Sequence, residues 1–109
     1  MIDPVAAQLA AYNAHDVDAF MACYTDDCIV EDGAGLRMMT GAAEMRPRYH
    51  TLFSSAPHLH CELISRIRIG EYVIDEEKIT GRVPTLRRAV AIYHLRDNKI
   101  DHVRFYREE

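Results

Sequence analysis

The sequence predicts an α+β domain in which a long, curled antiparallel sheet wraps around N-terminal helices. Three observations carry this prediction. In the first half of the chain apolar residues recur at helical spacing, with Val5, Leu9 and Tyr12 at i, i+4 and i+7. From His58 the period changes to two, in "HLHCELISRIRI", "YVIDEEKIT", "LRRAVAIYHLR" and "IDHVRFYR". The breaks between those runs are short, Gly70-Glu71 with glycine first and then Asp97-Asn98-Lys99, so the strands follow one another as a meander. Strands of nine to eleven residues exceed the usual length, and sheets that long twist and curl.

Asp3 followed by Pro4 starts the first helix, an N-cap oxygen with proline at the first helical position, and the helix is expected from Pro4 to Ala14. Gln8 lies on its apolar stripe, so a polar side chain is aimed at the core and needs a bonding partner there. Asp16 caps the chain again, and Val17, Phe20, Met21 and Tyr24 mark a shorter second helix that ends near "YTDD". A strand is expected from Cys28 to Asp32, then a turn, a short strand and a turn in "GAGLRMMTG". Met45, Tyr49, Leu52 and Phe53 mark a third helix, which Pro47 is expected to kink or delay and which ends at "SSAP".

At 109 residues the chain is expected to be a single domain, 1–109, on one core. Hydrophobic residues at 49% and charged residues at 28% are a globular balance, with no linker, repeat or biased segment. No apolar run approaches the roughly 20 residues of a membrane helix, and "MIDPVAAQLA" has no basic leader, so a cytoplasmic protein without a membrane partner is expected. A net charge of −4 with 13 scattered basic residues argues against a nucleic-acid partner. Cys23, Cys28 and Cys61 form no CxxC pair and read as reduced thiols packed as small hydrophobes. Without a nucleophile elbow, phosphate loop or dinucleotide fingerprint, no cofactor is expected.

Alternation places Asp32 with Val30 and Cys28 on one strand face and Glu31 with Ile29 on the other. Later, Ala89, Ala91, Tyr93 and Leu95 share a face that Val103 and Phe105 extend, and the small residues 89 and 91 leave room for a cavity against the helix. Asp32 then reads either as a base facing that cavity or as a turn residue, since Asp before Gly is a common turn dipeptide. His58, His60 and Glu62 share a face that is also assigned to Arg66 and Arg68; a solvent or interface face is expected there, and no metal. Asp75, Glu76 and Glu77 read as solvated or paired with Arg87 and Arg88. The opposite face, with Ile92, His94 and His102, reads as a homodimer surface.

The stretches "AYNAHDVDAFMACYTDDCIVEDG", "GEYVIDEEKITG" and "AIYHLRDNKIDHVRF" resemble the nuclear transport factor 2-like superfamily, and within it the SnoaL-like and steroid delta-isomerase-like branch, over residues 4–107. The resemblance implies a cone of curved sheet around the helices, a cystatin-like α+β barrel, with an apolar pocket for a small apolar molecule. It also implies cofactor-free proton movement on a carbonyl or ring compound, as an isomerase or a related cyclase, hydrolase or dehydratase. Carried over by the shared landmarks, the base falls on Asp32. The two oxyanion donors fall on Gln8 and Tyr93, where the family has tyrosine and aspartic acid. Tyr12, Val30, Phe53, Ala91, Val103 and Phe105 are the implied ligand-binding residues. A non-catalytic binding or dimerisation module of the same fold is the alternative.

Overall fold

The computed structural model describes residues 3–83 and 86–108. Three helices, α1 (Pro4–Ala14), α2 (Val17–Met21) and α3 (Ala42–Ser55), are set against six strands, β1 (Tyr24–Asp32), β2 (Arg37–Thr40), β3 (His60–Ile69), β4 (Tyr72–Thr80), β5 (Leu86–Arg96) and β6 (Lys99–Glu108). The strands form one sheet in the order β2-β1-β6-β5-β4-β3, so β2 and β3 are free edges and the curved sheet does not close on itself. Neighbours are antiparallel except β1 and β6, which run parallel with Val30 opposite Val103 and Asp32 opposite Phe105.

Asp3 caps α1 as its sequence signature requires, its carboxylate accepting from Val5 N at 3.1 Å and Ala6 N at 3.3 Å. The helix stops at His15, which adopts the left-handed conformation. Asn13, two residues earlier, bonds both backbone groups of Cys61 on β3, at 2.8 and 3.0 Å, and so docks the helix end onto that strand. The second helix is shorter than expected, because Tyr24 already opens β1. The third runs continuously through Pro47 instead of starting after it.

Between α1 and the sheet, Val5, Tyr12, Phe20, Cys28, Val30, Met45, Phe53, Val73, Ala91, Tyr93 and Val103 pack into one core. Burying this much apolar surface is the main force holding the layers together. The three cysteines are free thiols and buried. No helix among the described residues is long and apolar enough to cross a membrane.

One irregularity changes which side chains face the core. On β3 the register against β4 slips between Leu63, opposite Glu77, and Ser65, opposite Glu76, so one extra residue is inserted. His60 and Glu62 remain exposed, whereas Arg66 and Arg68 are turned to the helix side. There Arg66 makes a two-pronged bond to the fully buried Asp75, at 2.7 and 2.9 Å, and Arg68 pairs with Asp3 at the start of α1. The shared face expected for His60, Glu62, Arg66 and Arg68 is thereby corrected.

Candidate active site

On β4 the buried side is Val73, Asp75, Glu77 and Ile79. Two carboxylates thus point inward, against the expectation that the acidic run is solvated. Only Glu76 faces out, bonded to Arg88 at 2.8 Å and Ser65 at 3.1 Å, and the Arg87 side chain lies outside the described residues. The room for the inward carboxylates comes from β5, where Ala91 stands opposite Asp75 and Ala89 opposite Glu77.

Glu77 lines a cavity of about 70 Å³ between the helices and the sheet. Its polar neighbours there are Gln8 and Tyr12 from α1, Tyr24 from β1, Cys61 from β3 and Tyr93 from β5. Leu9, Phe20, Leu52, Ile79, Ala89 and Phe105 supply apolar wall, and Tyr49, Arg82 and Arg107 complete the lining. Gly81 helps to bring Arg82 here: with φ at +78°, and a hypothetical Cβ only 1.9 Å from the His58 carbonyl oxygen, no other residue fits the bend before it.

The polar groups form an ordered chain. The Gln8 amide nitrogen donates to the Val5 carbonyl at 3.1 Å and to the Tyr93 hydroxyl at 3.2 Å, and the amide oxygen accepts from the Tyr24 hydroxyl at 3.1 Å. Because the Val5 carbonyl can only accept, the orientation of the amide is fixed. Tyr93 spends its oxygen lone pair on Gln8 and keeps its own O–H proton to donate. The burial penalty of Gln8 is met by these three bonds.

Glu77 is only 3% exposed and forms no ion pair among the described residues. Burial, reinforced by the negative charge of Asp75, pushes its proton affinity up to about 7, while a hydrogen bond with the Cys61 thiol and the Arg66 charge pull the other way. Burial likewise pushes Tyr93, Tyr24 and Tyr12 above the usual phenol range, so all three keep their protons at neutral pH. The Cys61 thiol is raised too, first by burial and then by Glu77, and it is no thiolate nucleophile.

Of the residues expected in the site, Gln8, Tyr93, Tyr12 and Phe105 line the cavity. Val30, Phe53, Ala91 and Val103 are buried in the core around it without lining it; Phe53 packs edge-on to Tyr12, with ring centres 5.4 Å apart. The placement expected for Asp32 is corrected. Its Oδ1 accepts from Ala34 N and Leu36 N, both at 2.9 Å, in the turn after β1, and Asp32 lines a separate surface hollow. Glu31, on the outer face, contacts His102 and Arg104. No three metal-ligating side chains converge among the described residues, and His60 and Glu62 point outward.

A curved open sheet closed by helices over a polar-floored cavity defines a cystatin-like α+β domain of the nuclear transport factor 2-like superfamily. The chain belongs to the SnoaL-like domain family, whose model matches residues 5–103. An uncharacterized cystatin-fold protein from Novosphingobium aromaticivorans is 29% identical, with 95% of each chain covered and a TM-score of 0.86. An NTF-2-like protein of unknown function from Burkholderia xenovorans is 25% identical over 97% of this chain and 80% of that one, with a TM-score of 0.77. A candidate polyketide cyclase from Sinorhizobium meliloti shares the fold at 20% identity, with coverage of 97% and 95% and a TM-score of 0.82. No curated protein matches the chain.

Proposed function

We propose that the cavity binds a compact organic molecule and moves a proton on the carbon beside its carbonyl group, with Glu77 as the base. The observation that carries this is Glu77 itself, a buried carboxylate without a cationic partner, poised near neutral pH in the same cavity as a tyrosine with a proton to donate. The Glu77 carboxylate takes the C–H proton, the bonding pair moves into a C=C bond, and the carbonyl oxygen becomes an enolate oxygen. Tyr93 donates a hydrogen bond to that oxygen, held in place by Gln8. The neutral Glu77 then returns its proton to carbon, at the same or a conjugated position, so no cofactor is consumed. Asp32 has no part in this scheme, because its carboxylate is committed to the turn. Isomerisation of a ketone fits such a step, and so does the enolisation that opens a cyclisation.

The test is incorporation of solvent deuterium beside the carbonyl of small ketones, followed by NMR. Glu77→Gln is expected to lower the exchange rate by about 100- to 10,000-fold, and Asp32→Asn to leave it within a few-fold of wild type. Exchange that survives Glu77→Gln refutes the scheme. Ligand binding with no exchange in the wild-type protein favours the alternative, a binding module without turnover.

A further inference from the structure

The inner cavity opens into a hollow of about 230 Å³ that shares Tyr49, Leu52, Arg82 and Arg107 with it and adds Arg48. Three guanidinium groups therefore stand around one opening of an acidic protein. Elsewhere the chain neutralises most of its arginines: Arg46, Arg66, Arg68, Arg88, Arg96 and Arg104 each pair with a carboxylate. At the opening it does not. Arg48 bonds the Met38 carbonyl at 2.8 Å, and Arg107 lies over the Phe105 ring, 5.6 Å from its centre. The Nε of Arg82 is buried and has no hydrogen-bond partner among the described residues. A buried guanidinium donor left unmatched is costly, and neighbouring like charges repel until an anion is placed between them.

We propose that this opening holds the carboxylate of an organic acid, so that the ligand is a short oxo acid with its anionic end between Arg82 and Arg107. Its carbonyl end then reaches the inner chamber beside Glu77 and Tyr93. The position of the reacting end rests on the proton-transfer reading above, whereas the charge of the ligand does not. A guanidinium offers paired, coplanar N–H donors that match a planar carboxylate, and partial exclusion from water strengthens the pairing. Glu77 lines the inner chamber and not the hollow, and its ionised form disfavours entry of the ligand with its carboxylate foremost. The small chamber also limits what lies beyond the carboxylate to a few carbon atoms.

The experiment is an NMR titration of the full chain at pH 7 with two isosteric probes, 4-oxopentanoate and 4-oxopentanamide. The acid is expected to bind at least 10-fold more tightly than the amide and to shift the Arg82 Nε–H resonance. In the Arg82→Gln/Arg107→Gln double variant, acid and amide should bind with equal affinity, and in Arg82→Lys/Arg107→Lys the acid should keep part of its advantage. Equal affinities in the wild-type protein overturn the proposal, as does no binding of the acid or a preference that survives in the Gln double variant. Deuterium exchange on the same probes separates the two readings. Tight, arginine-dependent binding of the acid without exchange upholds the anion site and sinks Glu77 as base. Exchange on the amide with no preference for the acid does the reverse.

Discussion

Asp32 and Glu77 carry the same functional group and share strand alternation with buried apolar residues, yet they end in opposite environments. A short carboxylate next to glycine finds backbone N–H groups within its own turn, and Ala34 and Leu36 supply them before the side chain can reach inward. Glu77 lies mid-strand with no such local partner, and the alanines opposite leave space for it. That contrast is hard to read from the chain, where a charged residue on a strand normally signals solvent. The meeting of Gln8 and Tyr93 was legible, because helical and strand periods aim both at the same core. Glu77 has a consequence for stability. Its proton affinity rises on folding from the ordinary 4.5 to about 7, so the folded state favours the protonated form. The stabilisation is complete below pH 4.5 and is lost as pH rises through 7, a difference of roughly 3 kcal/mol. Thermal melts at pH 5 and pH 8 should therefore show a fall in Tm on the order of 10 °C that Glu77→Gln largely removes. An equal fall in both proteins would contradict this.

At the level of elements, the inserted residue in β3 matters most. Without it, Arg66 and Arg68 would continue the exposed face of His60 and Glu62, and Asp75 would be a buried charge with no cation. A single inserted residue leaves the alternating pattern of a strand nearly intact, so this bulge is invisible to a period-two reading. The first helix, by contrast, was legible to the residue, since the Asp3-Pro4 start and the apolar stripe are local signals that tertiary packing only confirms. The pair of Arg66 with fully buried Asp75 should behave asymmetrically. Arg66→Met leaves an uncompensated buried carboxylate and should cost about 3–5 kcal/mol in urea unfolding, whereas Arg66→Met/Asp75→Asn should recover much of that loss. If the double variant is no more stable than the single, the pair does not act as a unit.

For the whole molecule, we propose that the outer sheet face joins two copies. Ile92, His94 and His102 share it with Ile29, Tyr72 and Tyr106, around a broad open hollow. Both histidines are already held by carboxylates of their own chain, His94 by Asp101 at 2.6 Å and His102 by Glu31, which leaves their rings and the apolar residues to meet a partner. Sedimentation equilibrium at micromolar concentration should give a mass near twice 12.5 kDa, and Ile92→Arg should return it to the single-chain value. A single-chain mass for the unaltered protein would rule the dimer out. The layered architecture was legible because helices precede strands and the meander has short turns, but the pairing of β1 with β6 was not, since strands so far apart leave no local trace of their contact. That parallel seam, with Ile29 opposite His102, also governs how the protein reaches its structure. The two adjoining strands that carry Val30 and Val103 meet only after some seventy intervening residues have been drawn together, and closing so long a loop costs entropy before any contact repays it. Folding should then be paced by this late seam and not by the helices, so the β3–β6 meander can assemble early while β1 and β2 wait, their apolar faces exposed to other chains until β1 docks on β6.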